Sequence, residues 1–267
     1  RFDLGNMVQA VWSTAQGRPL ETTDMFGEQF TRLGAHVDPI LVVFTPLAWT
    51  GFLPEALLVC QAVVVACGAL PAFWLGRRWL GDDRLAVAAA AVYLLYPPLQ
   101  WATITDFHPV TLAAPLLMLC VWAAEVRRYG VLVVCAVGAA LPKEQVGLAL
   151  AMLGLWMAVR GARRAGAVLA AAGIARVAVC MAVIIPYFNA GEGSRFTERY
   201  AYLGDGAAGV AGGALTRPWD VIETLTSPGR LAYLAALLAP LLFLPLLAPL
   251  LALGALPELG INLLAEW

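Results

Sequence analysis

Long apolar runs separated by short charged segments make up most of this chain. Seven such runs cover residues 54–76, 84–104, 109–126, 130–142, 145–159, 166–188 and, with several prolines, 231–264. About 20 consecutive apolar residues in a helix are enough to cross the hydrocarbon core of a bilayer. The pattern therefore predicts an all-α fold, a polytopic bundle of transmembrane helices.

The apolar segment from Gly130 to Val159 should be broken in its middle. As one helix its thirty residues would measure about 45 Å, which is longer than an ordinary span. Pro142 lacks a backbone N–H donor and disfavours helix at Leu141. We therefore expect a helical hairpin whose tip faces a cavity, because irregular backbone at membrane depth is tolerated only beside protein or water.

Arginine-rich loops give the bundle an orientation, since short loops rich in basic residues lie on the cytoplasmic side of a membrane. Three loops are of this kind, and they contain Arg77, Arg78 and Arg84, then Arg127 and Arg128, then Arg160, Arg163 and Arg164. With these loops inside, the hairpin 130–159 begins and ends inside. Residues 105–108, 189–230 and all those before the first run then lie outside.

This orientation divides a single transmembrane domain into four parts. They are an external loop with juxtamembrane helices (1–53), a helical bundle (54–188), an external loop (189–230) and C-terminal membrane helices (231–267). In the first part we expect an amphipathic helix around Leu4–Gln16 and an interfacial helix within 39–53. Because the chain starts at Arg1 without methionine and stops after an apolar run, we expect a fragment of a longer protein.

Composition narrows the possible functions. The chain is 61% hydrophobic and 13% charged, whereas about a quarter of a soluble domain is charged. Its net charge of −1 gives no reason to expect a nucleic acid partner. The five cysteines lie in apolar runs without metal-type spacing, and no glycine-rich phosphate loop, G-x-S-x-G motif or zinc-type histidine pair occurs.

Ionisable residues converge on the predicted outer face, and they include both histidines and the only lysine of the chain. The candidates are Asp3, His36, Asp38, Asp106, His108, Lys143, Glu144, Arg195 and Arg199. Ionisable groups inside apolar segments are costly, so Lys143 and Glu144 are candidates for a functional site.

Structural explanations stay open for the same residues. Asp3 or Asp106 could cap a helix, and Lys143 with Glu144 could form an ion pair within the bundle. Arg176, in the middle of an apolar run, is expected to pair with an acid. The His36/Asp38 and Asp106/His108 pairs could hold a divalent metal, although we expect neither a metal nor another cofactor.

Several short motifs occur in a recognisable order. They are Arg1-Phe2-Asp3-Leu4-Gly5-Asn6, His36-Val37-Asp38-Pro39, Leu94-Leu95-Tyr96-Pro97, Asp106-Phe107-His108-Pro109, Lys143-Glu144 and Arg199-Tyr200-Ala201-Tyr202-Leu203-Gly204. With these motifs the chain resembles, along most of its length, a family of bacterial multi-pass membrane proteins of unknown function. That family in turn resembles the GT-C glycosyltransferase superfamily, with Asp3, the His36–Pro39 segment, Gly76-Arg77-Arg78 and Lys143 as the counterparts of its motifs.

The resemblance implies an enzyme of the bacterial inner membrane that works on the non-cytoplasmic face. Its donor would be a sugar linked to polyprenyl phosphate, and its acceptor a component of the cell envelope. We assign Asp3 as the base and Lys143 as the contact to phosphate, with His36, His108, Arg195 and Arg199 assisting. Asp38, Asp106 and Glu144 would orient sugar hydroxyls or hold Lys143 charged.

An alternative class is a transporter or polyprenyl-lipid carrier without catalysis, because broken helices that place charges in a cavity also occur in transporters. A transporter should offer a pathway to both faces and often contains inverted repeats. The ionisable residues here cluster on one face and no repeat is visible, which favours the transferase.

Overall fold

The computed structural model describes residues 2–24 and 26–266, apart from the side chains of Phe2, Arg195 and Ala207. It is mostly helical in this part, as the apolar pattern predicts. The only sheet in the described residues is a two-stranded antiparallel hairpin, β1 (Glu21–Thr23) with β2 (Gln29–Thr31), which the sequence analysis missed.

The N-terminal part contains two helices besides this hairpin. The first, α1 (Phe2–Ala15), confirms the amphipathic helix expected around Leu4–Gln16. The segment 39–53 is not one interfacial helix, because it forms only the single turn α2 (Ile40–Val43) and a 3-10 turn over Thr45–Trp49. Pro46, near the start of that 3-10 turn, has no N–H to continue the α-helical ladder from α2.

The bundle consists of nine helical segments, some of which continue one another while others are joined by short turns. They are α3 (Leu53–Cys67), α4 (Ala69–Leu80), α5 (Asp83–Leu95), α6 (Pro97–Thr105), α7 (Ala113–Glu125), α8 (Tyr129–Ala140), α9 (Val146–Val159), α10 (Arg163–Val179) and α11 (Ile185–Phe188). A 3-10 turn over Pro109–Leu112 leads into α7, and a π-helical turn over Cys180–Ile184 joins α10 to α11.

Helices also continue beyond the bundle. They are α12 (Gly206–Thr216), α13 (Pro218–Thr226), α14 (Pro228–Leu238), α15 (Pro249–Ala252) and α16 (Leu256–Leu264). The segment 189–230, predicted as an external loop, thus contains two helices, α12 and α13, and the start of a third. The prolines of 231–264 divide that apolar run into short pieces, since each proline removes a backbone donor.

Two continuous helices in the described chain are long and apolar enough to cross a bilayer. They are Leu53–Leu80, which comprises α3 and α4 and has 28 residues, and Arg163–Phe188, with 26 residues. A third would result if α5 and α6, which meet at a bend of 42°, act as one span. The other apolar helices have 10–17 residues, so the seven predicted spans are mostly shorter than expected.

The predicted hairpin within 130–159 is confirmed. Helix α8 ends at Ala140 and α9 begins at Val146, with Pro142 buried in the turn between them. The backbone N–H of Ile40 donates to the carbonyl of Leu141 at 3.3 Å, so the N-terminal part packs directly on this turn.

The three arginine-rich turns meet at one end of the bundle, which we call the arginine end. Glu125 accepts from Arg78 at 3.2 Å and from Arg160 at 3.0 Å. These contacts bring the turns after α4, α7 and α9 together, as the orientation argument requires. The turn between α8 and α9 and the loop between α6 and α7 lie at the opposite end.

Glycines let α9 and α10 approach to backbone contact. A Cβ atom on Gly154 would lie 2.5 Å from both Ala170 N and Gly166 O, and one on Gly147 would lie 2.6 Å from Gly173 O. The four glycines are seven residues apart on each helix, so they face each other along two turns. Small residues commonly allow such close packing in membranes, where the hydrophobic effect does not hold helices together.

Candidate functional site

Glu144 forms the centre of the polar contacts at the end opposite the arginine end. Its side chain is only 7% exposed, and its two oxygens have separate partners. Oε1 lies 3.0 Å from His36 Nδ1, and Oε2 accepts the backbone N–H of Val37 at 2.9 Å. Burial alone would raise the pKa of Glu144, but the hydrogen bonds and the charge of His36 lower it to about 2.

These contacts exclude one structural explanation. Glu144 forms no ion pair with Lys143, because both of its oxygens are turned to His36 and Val37. Lys143 is half-buried, and its ammonium group makes no hydrogen bond or ion pair with any residue that the structure describes. Both residues were predicted to belong to one site, but their contacts differ. Glu144 fixes the turn through His36 and Val37, whereas the ammonium group of Lys143 has no partner among the described residues.

Asp38, two residues after His36, points to a different partner. Its carboxylate is 2% exposed and accepts from Arg32 Nε at 2.6 Å, while Oδ1 has no partner in the described chain. Burial raises the pKa of Asp38, and the guanidinium of Arg32 opposes this shift. His36 and Asp38 therefore have different partners and do not act as a pair. Arg32, which was not among the predicted site residues, holds this loop through its hydrogen bond to Asp38.

Asp3 and His108 meet although they are far apart in sequence. Asp3, in the first turn of α1, lies with Oδ2 3.6 Å from His108 Nε2. The side chains are 55% and 40% exposed, respectively, so the pair is open to solvent. A carboxylate beside an imidazole can accept a proton from a hydroxyl group and pass it on, which is the arrangement used in general base catalysis.

Gln61 holds the loop that carries His108, and the sequence analysis missed it. Its side chain is fully buried and forms four hydrogen bonds. Nε2 donates to the carbonyls of Thr103 (2.9 Å) and Asp106 (2.8 Å), and Oε1 accepts from His108 N (2.7 Å) and Thr111 Oγ1 (3.0 Å). The sequence does contain a feature that indicates this role. Gln61 is a lone amide within the apolar run 54–76, and a buried amide needs hydrogen-bond partners.

Asp106 itself serves its own loop. Its Oδ1 accepts the backbone N–H of Phe107 at 2.9 Å, and Phe107 is fully buried in the core beside α1 and α3. The carboxylate therefore stabilises the turn before Pro109, and it is not the cap of the helical turn Pro109–Leu112, whose N-cap residue is His108. The described residues contain no group of three or more His, Cys, Asp or Glu side chains that could hold a metal ion.

Arg176 reaches the His36–Glu144 contacts from α10. Its Nη2 donates to the carbonyl of Val37 at a distance of 3.5 Å, and its Nε is buried without a partner in the described chain. The acid that we expected to pair with Arg176 is absent from the described residues. The backbone of Val37 thus has two side-chain partners. Its N–H donates to Glu144, and its carbonyl accepts from Arg176.

Phe196 covers His36 from the segment that follows α11. The two rings stack with centroids 4.2 Å apart, and the guanidinium of Arg199 lies 5.0 Å from the Phe196 ring centroid. Arg199 thus contacts the ring of Phe196, which in turn stacks on His36. The side chain of Arg195 lies outside the described residues.

The two groups of contacts share one end of the bundle. Val110, two residues after His108, packs against a cluster that contains Ala139 and Val146, which flank the turn with Lys143. The loop with His108 and the turn with Lys143 are therefore neighbours. Together they place a solvent-open carboxylate–imidazole pair and an unused ammonium group at one end.

Comparison with known proteins adds one match. The sequence profile of a family described as "Predicted membrane protein (DUF2079)" matches residues 1–266. No curated protein and no solved structure matches the chain significantly.

Proposed function

We propose that the chain, which belongs to this family of predicted membrane proteins, is an integral membrane glycosyltransferase. It transfers a sugar from a polyprenyl-phosphate donor to an acceptor of the cell envelope on the non-cytoplasmic face of the bacterial inner membrane. The motif order that resembles the GT-C superfamily supports this class of reaction. The arginine end then faces the cytoplasm, in line with the distribution of basic residues in membrane proteins.

One observation carries the proposal. At the end opposite the arginines, an exposed Asp3–His108 pair neighbours a turn whose Lys143 has no partner among the described residues. A transferase of this class needs a base for the acceptor and a cation for the leaving phosphate, and Asp3 and Lys143 are our candidates for these two roles.

The reaction can be written with these residues. A hydroxyl oxygen of the acceptor attacks the anomeric carbon of the sugar, and its proton passes to Asp3. The bond between the anomeric carbon and the phosphate oxygen breaks, and the phosphate leaves with the electron pair. Lys143 lies where this negative charge grows, and a cation in a low-dielectric site stabilises it more strongly than in water.

The remaining candidates shape the site. His108 orients Asp3, and Glu144 together with His36 fixes the turn that presents Lys143. Arg199 belongs to the segment that covers His36 and is proposed to contact phosphate or sugar hydroxyls, and the same role stays a prediction for Arg195, whose side chain lies outside the described residues. Asp38 and Asp106, both engaged within their own loops, support the backbone around the site.

The test is sugar transfer by the full-length protein in liposomes. A panel of polyprenyl-phosphate sugars is supplied, and release of free polyprenyl phosphate is followed for wild type, Asp3→Asn and Lys143→Met. The matched control is Asp205→Asn, an exposed acid whose side chain forms no cap hydrogen bond to α12. Because a general base accelerates a reaction by about 10²–10⁴-fold, Asp3→Asn should reduce the rate by that order while the control keeps it.

Two outcomes would overturn the proposal. If Asp3→Asn and Lys143→Met both retain the rate of wild type, the two residues are not the base and the phosphate contact. If no donor is turned over but a polyprenyl phosphate binds saturably and Lys143→Met abolishes that binding, the protein handles the carrier lipid without catalysis.

A further inference from the structure

The arginine end carries an excess of positive charge that its own acids do not balance. Its three turns, residues 77–84, 125–128 and 160–164, contain eight arginines and three acids, which is a net charge of +5 in a chain whose total is −1. Asp83 and Glu125 already form ion pairs, and Asp82 caps α5. The arginines of this end without an ion pair to any described residue are Arg84, Arg127, Arg128, Arg163 and Arg164.

Arg128 lies on an aromatic surface formed by α4 and α7. Its guanidinium carbon is 5.7 Å from the ring centroid of Trp122, and that ring packs against Trp74 with centroids 5.1 Å apart. A cation–π contact engages the face of a guanidinium, whereas its N–H donors lie in the plane. Because the side chain of Arg128 makes no hydrogen bond or ion pair with any described residue, these donors are available to an acceptor such as a phosphate group.

An apolar groove of about 200 Å³ begins at this pair of tryptophans and runs between the helix Leu53–Leu80 and α7. Leu119 in the groove precedes Trp122 by three residues, so the groove and the ring below Arg128 lie on one face of α7. Leu70 and Trp74 are exposed, so the groove opens on the side surface of the bundle. The lining includes Cys67, Leu70 and Trp74 on one side and Pro115, Leu116 and Leu119 on the other.

The two ends of the groove differ in the cation that each offers. At the end away from Trp74, Gln61 and Thr111 bond to each other at 3.0 Å, and the neighbouring His108 is already paired with Asp3 at 3.6 Å. At the Trp74 end, Arg128 has no acid partner in the described chain. An amphiphile in the groove would therefore place an anionic head beside Arg128 and its chain towards the middle of α3.

The aromatic rings indicate that this anion belongs to a lipid and not to a soluble partner. Arg160 also lies over a tryptophan, with its guanidinium carbon 5.6 Å from the ring centroid of Trp156. Tryptophans are enriched at the depth of the lipid head groups, and basic residues beside them attract anionic lipids. An acidic soluble protein could pair with the arginines, but it would leave the exposed apolar groove below them uncovered.

We propose that Arg128 and this groove bind one anionic phospholipid from the leaflet that meets the arginine end. The lipid phosphate accepts hydrogen bonds from Arg128, and one acyl chain lies in the groove between α4 and α7. The site goes beyond the proposed sugar transfer and does not depend on it, because it lies at the opposite end of the bundle from Asp3 and Lys143. Burial of the chain supplies binding free energy, and the guanidinium selects the charge of the head group.

The test compares substitutions that change the net charge equally. Arg128→Gln removes the proposed contact to the head group, and Arg164→Gln removes another exposed, unpaired arginine on α10, which does not line the groove. Leu70→Trp fills the groove, and its control Val63→Trp adds the same ring at an exposed position of α3 outside the groove. Thermal unfolding in detergent checks that all four variants fold like wild type.

Binding is measured on the full-length protein by native mass spectrometry. The protein is equilibrated with phosphatidylglycerol or phosphatidylcholine of the same acyl chains, and retained lipids are counted during titration. We expect wild type to retain one phosphatidylglycerol in preference to phosphatidylcholine. The Kd for phosphatidylglycerol should rise by about tenfold or more in Arg128→Gln and Leu70→Trp, and by less than about threefold in the two controls.

Each contrary result overturns a defined part of the proposal. Equal weakening by Arg128→Gln and Arg164→Gln would show that the lipid responds only to net charge, so that Arg128 forms no site. Unchanged binding in Leu70→Trp would exclude the groove as the place of the chain. Displacement of phosphatidylglycerol by glycerol phosphate at the same concentration would show that a free phosphate suffices, and equal retention of phosphatidylcholine would exclude recognition of charge.

Discussion

Replacing Glu144 by glutamine removes the charge that ties the turn between α8 and α9 to the N-terminal part. The pKa of Glu144 falls from 4.5 to about 2, because its hydrogen bonds and the charge of His36 outweigh burial. Each unit of such a shift corresponds to about 1.4 kcal/mol, so the folded state gains about 3 kcal/mol from the ionised carboxylate. Glutamine keeps the shape of the side chain but loses the charge, and we expect most of this stabilisation to disappear.

The pH dependence follows from the direction of the shift. Because folding lowers the pKa, the stabilisation is fully present above pH 4.5 and is lost as the pH falls towards 2. Wild type should therefore lose thermal stability across this window, whereas Glu144→Gln should change less there. Wild type and Glu144→Gln are best compared at pH 5.5, above this window, where the ionised carboxylate contributes its full stabilisation.

The assay is thermal unfolding of the protein in nanodiscs at pH 5.5 and at steps between pH 4.5 and 2. About 3 kcal/mol corresponds to a decrease in Tm of roughly 6–12 °C for a chain of this size. Glu28→Gln is the matched control, because Glu28 is exposed on the β-hairpin. Equal Tm values for the two variants at pH 5.5, or a wild-type Tm that stays constant through the acid window, would refute the reasoning.

Two further substitutions test the packing and the loop. Gly154→Ala places a Cβ 2.5 Å from Ala170 N, so it should lower the Tm by several degrees. The control Gly130→Ala has no atom within 4 Å of the added Cβ and should leave the Tm unchanged or raise it. Thermal unfolding measures both. Gln61→Leu leaves several buried groups unpaired and should cost about 3 kcal/mol or more, while the exposed Gln100→Leu should cost less than about 1 kcal/mol. A Gln61→Leu protein as stable as the Gln100→Leu control would show that the loop does not depend on this amide.

Two parts of the fold follow from the sequence for clear physical reasons. The break at Pro142 follows from the length of the apolar run and the missing donor, and the structure has helix ends at Ala140 and Val146. An even number of predicted membrane crossings separates each arginine-rich turn from the next, so these turns are expected to meet at one end of the bundle. In contrast, the β-hairpin has strands of three residues each. Such strands are too short for an alternation of apolar and polar residues to be recognised in the sequence. Helix α12 was missed because its glycine-rich sequence favours a loop prediction.

The candidate site was predictable as a set of residues but not as a set of contacts. The sequence placed Asp3 and His108 on one face, and the structure brings them within 3.6 Å. It also suggested that neighbours pair, Lys143 with Glu144 and His36 with Asp38. The structure pairs His36 with Glu144 instead, across 108 positions, because the loop before α2 packs on the turn before α9. No local pattern encodes a contact over that separation.

The two ends of the bundle differ in how their partly buried cationic groups are paired. At the arginine end, the acids Asp83 and Glu125 neutralise Arg77, Arg78 and Arg160. At the opposite end, Lys143 and the Nε of Arg176 have no partner in the described chain. An uncompensated cationic group in a partly buried place raises the free energy of the folded state, which is a cost that stability alone does not explain. An anionic ligand at this end would remove the cost, and this is the physical reason why we propose Lys143 as the contact to a phosphate.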